Sequence, residues 1–403
     1  MRSVYLDYAA TTPLDPEVLE AMKPYFTEIF GNPASAHAIG RIARHAVDSA
    51  REQVASVLGC TSSEIIFTSG GTEADNLAIL GTAEAWGERK GKHIITSPLE
   101  HHAVSDSFAW LEKNGFEITY LPVDEYGLIK PQDLTDALRP DTILVSIIHG
   151  NNEIGTIQPA TELGEICREH NVIFHLDCVQ TVGHLPVRVD DLHCDLLSLA
   201  AHKFYGPKGV GALYIRKGVR IAPQVHGGAQ QRGIRPGTED VPNIVGLGKA
   251  ITLAETRREA IAMKDTVLRD KLIKGILSIP DVRLNGHPTH RLPNNVNVSI
   301  MWIEGESTLL ALDLMGISAS SGSACTSGSL DPSHVLLGIG LDHPTAHGSL
   351  RLTLGNMTTE EDIDYVLECL PPIVERLRKL SPIWPGQKNP TPVDIVPSKD
   401  HHH

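Results

Sequence analysis

From about residue 60 to residue 220, short apolar runs alternate with stretches of helical periodicity. Ile65-Ile66-Phe67-Thr68 leads into a helix opening near Thr72, and His93-Ile94-Ile95-Thr96 into a helical stretch after His101. Glu117-Ile118-Thr119-Tyr120, Ile143-Leu144-Val145-Ser146-Ile147 and Val172-Ile173-Phe174-His175-Leu176 continue the series. Unbroken apolar runs separated by helices predict strands buried on both faces, a mostly parallel sheet and an α/β architecture. A long helical stretch after Val241 passes through Glu255-Thr256-Arg257-Arg258 to about Leu277. Beyond it come shorter strands, Asn295-Val296-Asn297-Val298-Ser299-Ile300 and Leu350-Arg351-Leu352-Thr353-Leu354, with helices near 306–315 and 359–380. The pattern predicts a large domain over 15–258 and a smaller α/β domain made of 1–14 and 259–381, hinged on the long helix. The Pro-rich remainder, 382–403, reads as a loosely held tail.

Composition narrows the picture without changing it. A chain of 403 residues is long enough for two domains. No run of eighteen apolar residues occurs, so no membrane helix is expected. Met1-Arg2-Ser3-Val4-Tyr5-Leu6-Asp7 lacks the apolar segment of a signal peptide, which points to the cytoplasm. The 49 acidic side chains exceed the 35 Lys and Arg by 14, a balance that argues against direct nucleic-acid binding. Cysteines at 60, 167, 178, 194, 325 and 369 form no regular framework and read as reduced thiols. His401-His402-His403 has the look of a purification-tag remnant and is set aside.

Four places carry candidate chemistry. Lys203 lies in Leu199-Ala200-Ala201-His202-Lys203-Phe204-Tyr205-Gly206-Pro207, after a short apolar strand and before a Gly/Pro turn. An amine fixed and partly desolvated at such an edge becomes a nucleophile toward an aldehyde. Any one lysine is more often a surface residue, so its context must decide. Asp177 closes the apolar run Phe174-His175-Leu176, where a buried carboxylate needs a partner; a pyridinium nitrogen is one. The bland reading of Asp177 is a helix N-cap, although Val179 and Gln180 are poor openers. Thr68-Ser69-Gly70-Gly71-Thr72-Glu73 places a Gly pair at a strand-to-helix junction, which suits a phosphate but is a weak signal alone. His101 follows a strand in Glu100-His101-His102, where an imidazole could stack on a ring or shuttle a proton. No metal-ligand spacing includes these histidines.

Lys203, Asp177, His101 and the Gly-Thr turn, in this order, resemble the fold-type-I pyridoxal-phosphate enzymes. More narrowly, the chain resembles a cysteine desulfurase of the NifS/IscS-like group within the class-V aminotransferases. The likeness runs from Tyr5-Leu6-Asp7-Tyr8-Ala9-Ala10-Thr11-Thr12 to near Leu380. Its more specific motifs are Gly31-Asn32-Pro33-Ala34-Ser35, Asn151-Asn152-Glu153-Ile154-Gly155 and Ser321-Gly322-Ser323-Ala324-Cys325. The resemblance implies a large domain with a mostly parallel seven-stranded sheet and a smaller α/β domain. It implies that Lys203 holds pyridoxal 5'-phosphate and later moves the substrate Cα proton. His101 would stack on the ring, Asp177 pair with its nitrogen, and Gln180 and Asn152 touch its substituents and the substrate. Gly71, Thr72 and His202 would hold the phosphate, with Thr238 arriving from the second protomer of a homodimer. Arg351, assisted by Asn32, would clamp the substrate carboxylate, a task suited to a guanidinium fork. Two positions depart from the family. Ala200 stands where relatives usually carry a phosphate-binding serine, and Cys178 where a small residue such as alanine is more usual.

Residues 318–328 read Ser-Ala-Ser-Ser-Gly-Ser-Ala-Cys-Thr-Ser-Gly, a composition that predicts a mobile loop around an accessible Cys325. The resemblance implies that Cys325 takes sulfur from L-cysteine as a persulfide, leaving L-alanine, and passes it to an acceptor protein. An iron–sulfur scaffold, a thiolation enzyme or a DNA-phosphorothioation partner would serve. No metal is expected, apart from contact with an iron–sulfur centre through Cys325. The competing enzymatic reading is a selenocysteine lyase or another class-V relative; the competing non-enzymatic reading is a silent scaffold for acceptor proteins.

Overall fold

The computed structural model describes residues 2–321 and 332–386. Its strands in chain order are β1 (Val4–Tyr5), β2 (Ile65–Thr68), β3 (His93–Thr96), β4 (Glu117–Tyr120), β5 (Thr142–Ile148) and β6 (Ile173–Asp177). They continue as β7 (Leu196–Ala200), β8 (Gly211–Ile215), β9 (Val282–Leu284), β10 (Asn295–Ile300), β11 (Ile317–Ser318) and β12 (Ser349–Thr353). Seven of them form one sheet in the order β2-β8-β7-β6-β5-β3-β4. All neighbours in it are parallel except β8, which runs antiparallel to both β2 and β7.

The apolar runs are continuous because successive side chains enter different cores. Ile65, Phe67, Ile95, Val145, Ile147, Leu197, Leu199, Ala212 and Tyr214 share one core with the helices Ala38–Leu58 and Ala160–Glu169. Ile94, Leu144 and Phe108 meet on the other face, as do Ile66, Leu196 and Leu213 beside the helix Gly71–Trp86. This is a doubly covered sheet. Two details depart from the sequence pattern. The edge strand β4 is partly or fully exposed along its length, where a buried strand was expected. The reversed β8 carries no periodicity that distinguishes it from the other strands of the sheet.

A second, antiparallel sheet has the order β12-β10-β9, and β1 pairs in parallel with β11 beside it. Its core joins Val4 and Leu6 to Val296, Val298, Leu350, Leu352 and the helix Glu360–Leu380. The 36-residue helix Val241–Ile276 serves both cores. Its Val241, Ile244, Leu247 and Ile251 pack under the large sheet, whereas Leu268, Leu272 and Ile276 pack under the small one.

Candidate active site

In a parallel sheet the strand ends that point the same way bring their following loops to one edge, and ligands bind there. Here β6 ends in Asp177, β7 ends in Ala200, and the tight turn Ala201–Lys203 follows at once. The loops after β3 and β5 supply His101 and Asn152, and the junction after β2 opens the helix Gly71–Trp86. These residues enclose a cavity of about 300 Å³. Gly71, Thr72, His101, Asn152, Asp177, Gln180, Ala200, His202, Lys203 and Arg351 all line it. Asn32 and Thr238 do not: both are exposed, and the Asn32 side-chain oxygen accepts from the Ala34 N–H at 2.9 Å. Cys325 lies outside the described residues.

The lysine is held by backbone. Its Nζ donates to the carbonyls of Ala9 and Ala10 at 2.6 and 2.8 Å, so the N-terminal segment forms one wall of the cavity. Gln180 Nε2 donates to the same Ala9 carbonyl at 2.9 Å. Asp177 is buried, and its Oδ1 accepts from the Val179 N–H at 2.9 Å, a side-chain turn rather than a helix N-cap, since no helix opens before β7. Burial pushes the Asp177 carboxyl up to about 6, against the pull of that hydrogen bond and of Lys203.

His101 caps the helix His102–Lys113 by accepting from the Ala103 N–H through Nδ1 at 3.1 Å. Burial and then the charge of Lys203 bring its imidazole down to about 4, so it is neutral at physiological pH. A neutral ring can stack on an aromatic cofactor and accept or donate a proton at Nε2. His202 is likewise lowered to about 4, mainly by burial, and its Nδ1 lies 3.1 Å from the Thr11 hydroxyl.

Arg351, on β12, is only 3% exposed and reaches from the small sheet into the cavity. One terminal nitrogen donates to the Asn152 carbonyl at 3.1 Å and the other to Asp7 at 3.0 Å, while its Nε has no partner among the described residues. Asp7 stands in the conspicuous Tyr-Leu-Asp-Tyr run, but nothing in one sequence pairs it with an arginine 344 positions away. Two further acids, Glu100 and Asp75, are buried without any signal in the sequence. Glu100 is pushed up to about 8 by burial, and Asp75 lines the cavity itself.

The residues present suit pyridoxal phosphate. The helix beginning at Gly71 has no side-chain cap, so its first N–H groups are available to an anion. A Cβ at Gly71 would come within 2.8 Å of Val179 Cγ2 and narrow that cradle. Ala200 is buried and lines the wall without offering a donor. Cys178 is fully buried, its Sγ 3.6 Å from His149 Nδ1, and burial raises its thiol well above the usual range. It packs and stays protonated.

The Aminotransferase class-V family profile matches residues 4–366. The cysteine desulfurase IscS of Methanosarcina thermophila is 58% identical over 386 residues, 96% of this chain and 95% of that protein. A solved NifS-like protein superposes with a TM-score of 0.88 at 40% identity, covering 93% of this chain and all of the other. SspA in complex with cysteine superposes at 0.78 with 39% identity, over 87% of this chain and 99% of that one. The chain belongs to the class-V aminotransferase family, and within it to the cysteine desulfurases. Enzymes of this class depend on pyridoxal phosphate, and the fold is fold type I.

Proposed function

We propose that this enzyme converts L-cysteine to L-alanine and carries the sulfur as a persulfide on Cys325 for delivery to an acceptor protein. The observation that supports it most is the meeting of Lys203, Asp177, His101 and Arg351 around one cavity, in a chain 58% identical to a protein named as a cysteine desulfurase.

When bound, pyridoxal phosphate supplies an electron sink for the carbanion at the substrate Cα. Everything else falls to side chains. The uncapped helix start at Gly71 and Thr72, with His202, would receive the phosphate, and Asp177 would pair with the ring nitrogen. Ala200 offers no side-chain donor there. Lys203 would hold the cofactor aldehyde and move the Cα proton, and His101 would cover the ring. Arg351 would exchange Asp7 for the substrate carboxylate, with Asn152 beside it. The Cys325 thiolate bonds to the substrate sulfur as the Cβ–S bond breaks, and the alanine skeleton is protonated and released. A thiol's ordinary pKa of roughly 8.5 requires a base nearby for that attack.

The separate cores support a division into 15–258 and 1–14 with 259–381. A homodimer would let the exposed Thr238 of one protomer serve the phosphate of the other. We place the enzyme in the cytoplasm, supplying an iron–sulfur scaffold or a thiolation enzyme. No described helix is long and apolar enough to cross a membrane.

Replacing Cys325 by Ser tests the proposal. The variant should keep the visible absorbance of the bound cofactor and lose persulfide formation from cysteine. Sulfur transfer at the wild-type rate would refute the assignment. Replacing Lys203 by Ala should remove the covalent attachment, read as loss of the cofactor band after gel filtration.

A further inference from the structure

Asp75 is the least expected residue of the cavity wall. It sits in the second turn of the helix Gly71–Trp86, where an acid normally faces water, yet it is 1% exposed. It lines the same cavity as Asp177. Its Oδ1 has no hydrogen-bond partner among the described residues. The nearest basic nitrogen is His175 Nε2, 3.6 Å from Oδ1, too far for a hydrogen bond.

That histidine is no counter-ion. It is wholly buried between two hydroxyls, with Ser146 Oγ 2.8 Å from Nδ1 and Ser198 Oγ 3.0 Å from Nε2. Burial lowers it to about 3, so the ring is neutral. The Ser198 hydroxyl, 3.0 Å from His175 Nε2, is the one neighbour among the described residues that favours the charged form of Asp75. The other ionisable groups facing Asp75 are two buried carboxyls, Asp177 and Glu100. Lys203 acts on Asp177 and is engaged by the Ala9 and Ala10 carbonyls.

Two buried carboxylates in one wall cannot both ionise cheaply; the environment separates them into an acid and an anion. Asp177 has a backbone N–H and the nearby Lys203 to favour its charged form. Asp75 has one hydroxyl and an orphaned oxygen. We propose that Asp75 is a positioning residue held as the neutral acid, so that Asp177 alone carries negative charge toward the cofactor. Burial and the repulsion of Asp177 both drive its carboxyl well above the usual range, in agreement. The proposal rests on the cofactor reading of the pocket and not on which sulfur chemistry follows.

The test uses the full-length protein loaded with pyridoxal phosphate. Infrared difference spectra between wild type and Asp75→Asn at pH 8 should show a protonated-carboxyl band that the variant lacks. A difference confined to the ionised-carboxylate region would overturn the proposal. Because this reads Asp75 directly, its failure would leave the desulfurase assignment untouched. Cofactor affinity gives an independent readout. Asp75→Ala should weaken pyridoxal-phosphate binding by roughly tenfold, and the neutral isostere Asp75→Asn should restore it to within about threefold of wild type. An Asn variant as weak as the Ala variant would show that charge is required and refute the idea. If neither variant folds, carboxyl NMR of aspartate-labelled wild type decides: one protonated aspartate at pH 8 is expected, and none contradicts it.

Discussion

Arg351 shows how much a single residue's surroundings matter. Its fork is already used by Asp7 and the Asn152 carbonyl, so a substrate carboxylate must displace or join Asp7. A lysine there would keep the charge and lose the planar pair of donors. Arg351→Lys should therefore raise KM for cysteine by roughly tenfold or more, with a smaller change in kcat, in steady-state alanine assays. Glu100 offers a test by pH. Its carboxyl titrates near 8 in the folded chain, above the unfolded value of roughly 4.3. A raised carboxyl pKa stabilises the fold below the unfolded value, and that benefit is lost as pH rises through the folded one. Relative to wild type, Glu100→Gln should gain stability steadily from about pH 4.3 to 8 and level off above it, measured by denaturant unfolding. A difference independent of pH would remove Glu100 from the buried acids.

At the scale of elements, the strand ends made the site legible and the helix faces did not. Lys203, Asp177 and His101 could be read because a reactive residue type coincided with the end of an apolar run. Asp75 could not, because Thr-Glu-Ala-Asp near a helix start reads as an ordinary acidic helix opening, and only tertiary packing buries it. Asp7 was hidden by distance along the chain, and the reversal of β8 by its being buried throughout like β2 and β7. The Asn151-Asn152-Glu153-Ile154-Gly155 turn was recognised as a motif without its mechanics. Asn151 Oδ1 accepts from the N–H groups of Glu153 and Ile154, and Gly155 turns the chain at φ +78°. A Cβ at Gly155 would lie 2.8 Å from Asn295 Oδ1. Gly155→Ala should cost about 1–3 kcal/mol in unfolding free energy, with cofactor absorbance retained in the folded fraction.

Across the whole molecule, the cavity is closed by groups from both sheets. Arg351 comes from the small sheet, Lys203 and Asp177 from the large one, and the 36-residue helix fastens the two cores. A second fastening sits just after the lysine, where Tyr205 Oη accepts from the Asn356 N–H at 2.6 Å. Tyr205→Phe would leave that partly buried N–H unpaired and should cost about 1–3 kcal/mol, seen as a lowered unfolding midpoint. The fold class was legible because unbroken apolar runs between helical stretches are a local pattern. The closure of the site across the sheets was not, since it depends on contacts between residues more than a hundred positions apart. The central claim is that sulfur passes from cysteine to Cys325. Mass spectrometry of peptides after brief incubation with cysteine, without reductant, tests it most directly. One extra sulfur on the Cys325 peptide, in step with alanine released, is the predicted result; alanine release with that peptide unmodified, or sulfur on Cys178 instead, would contradict it.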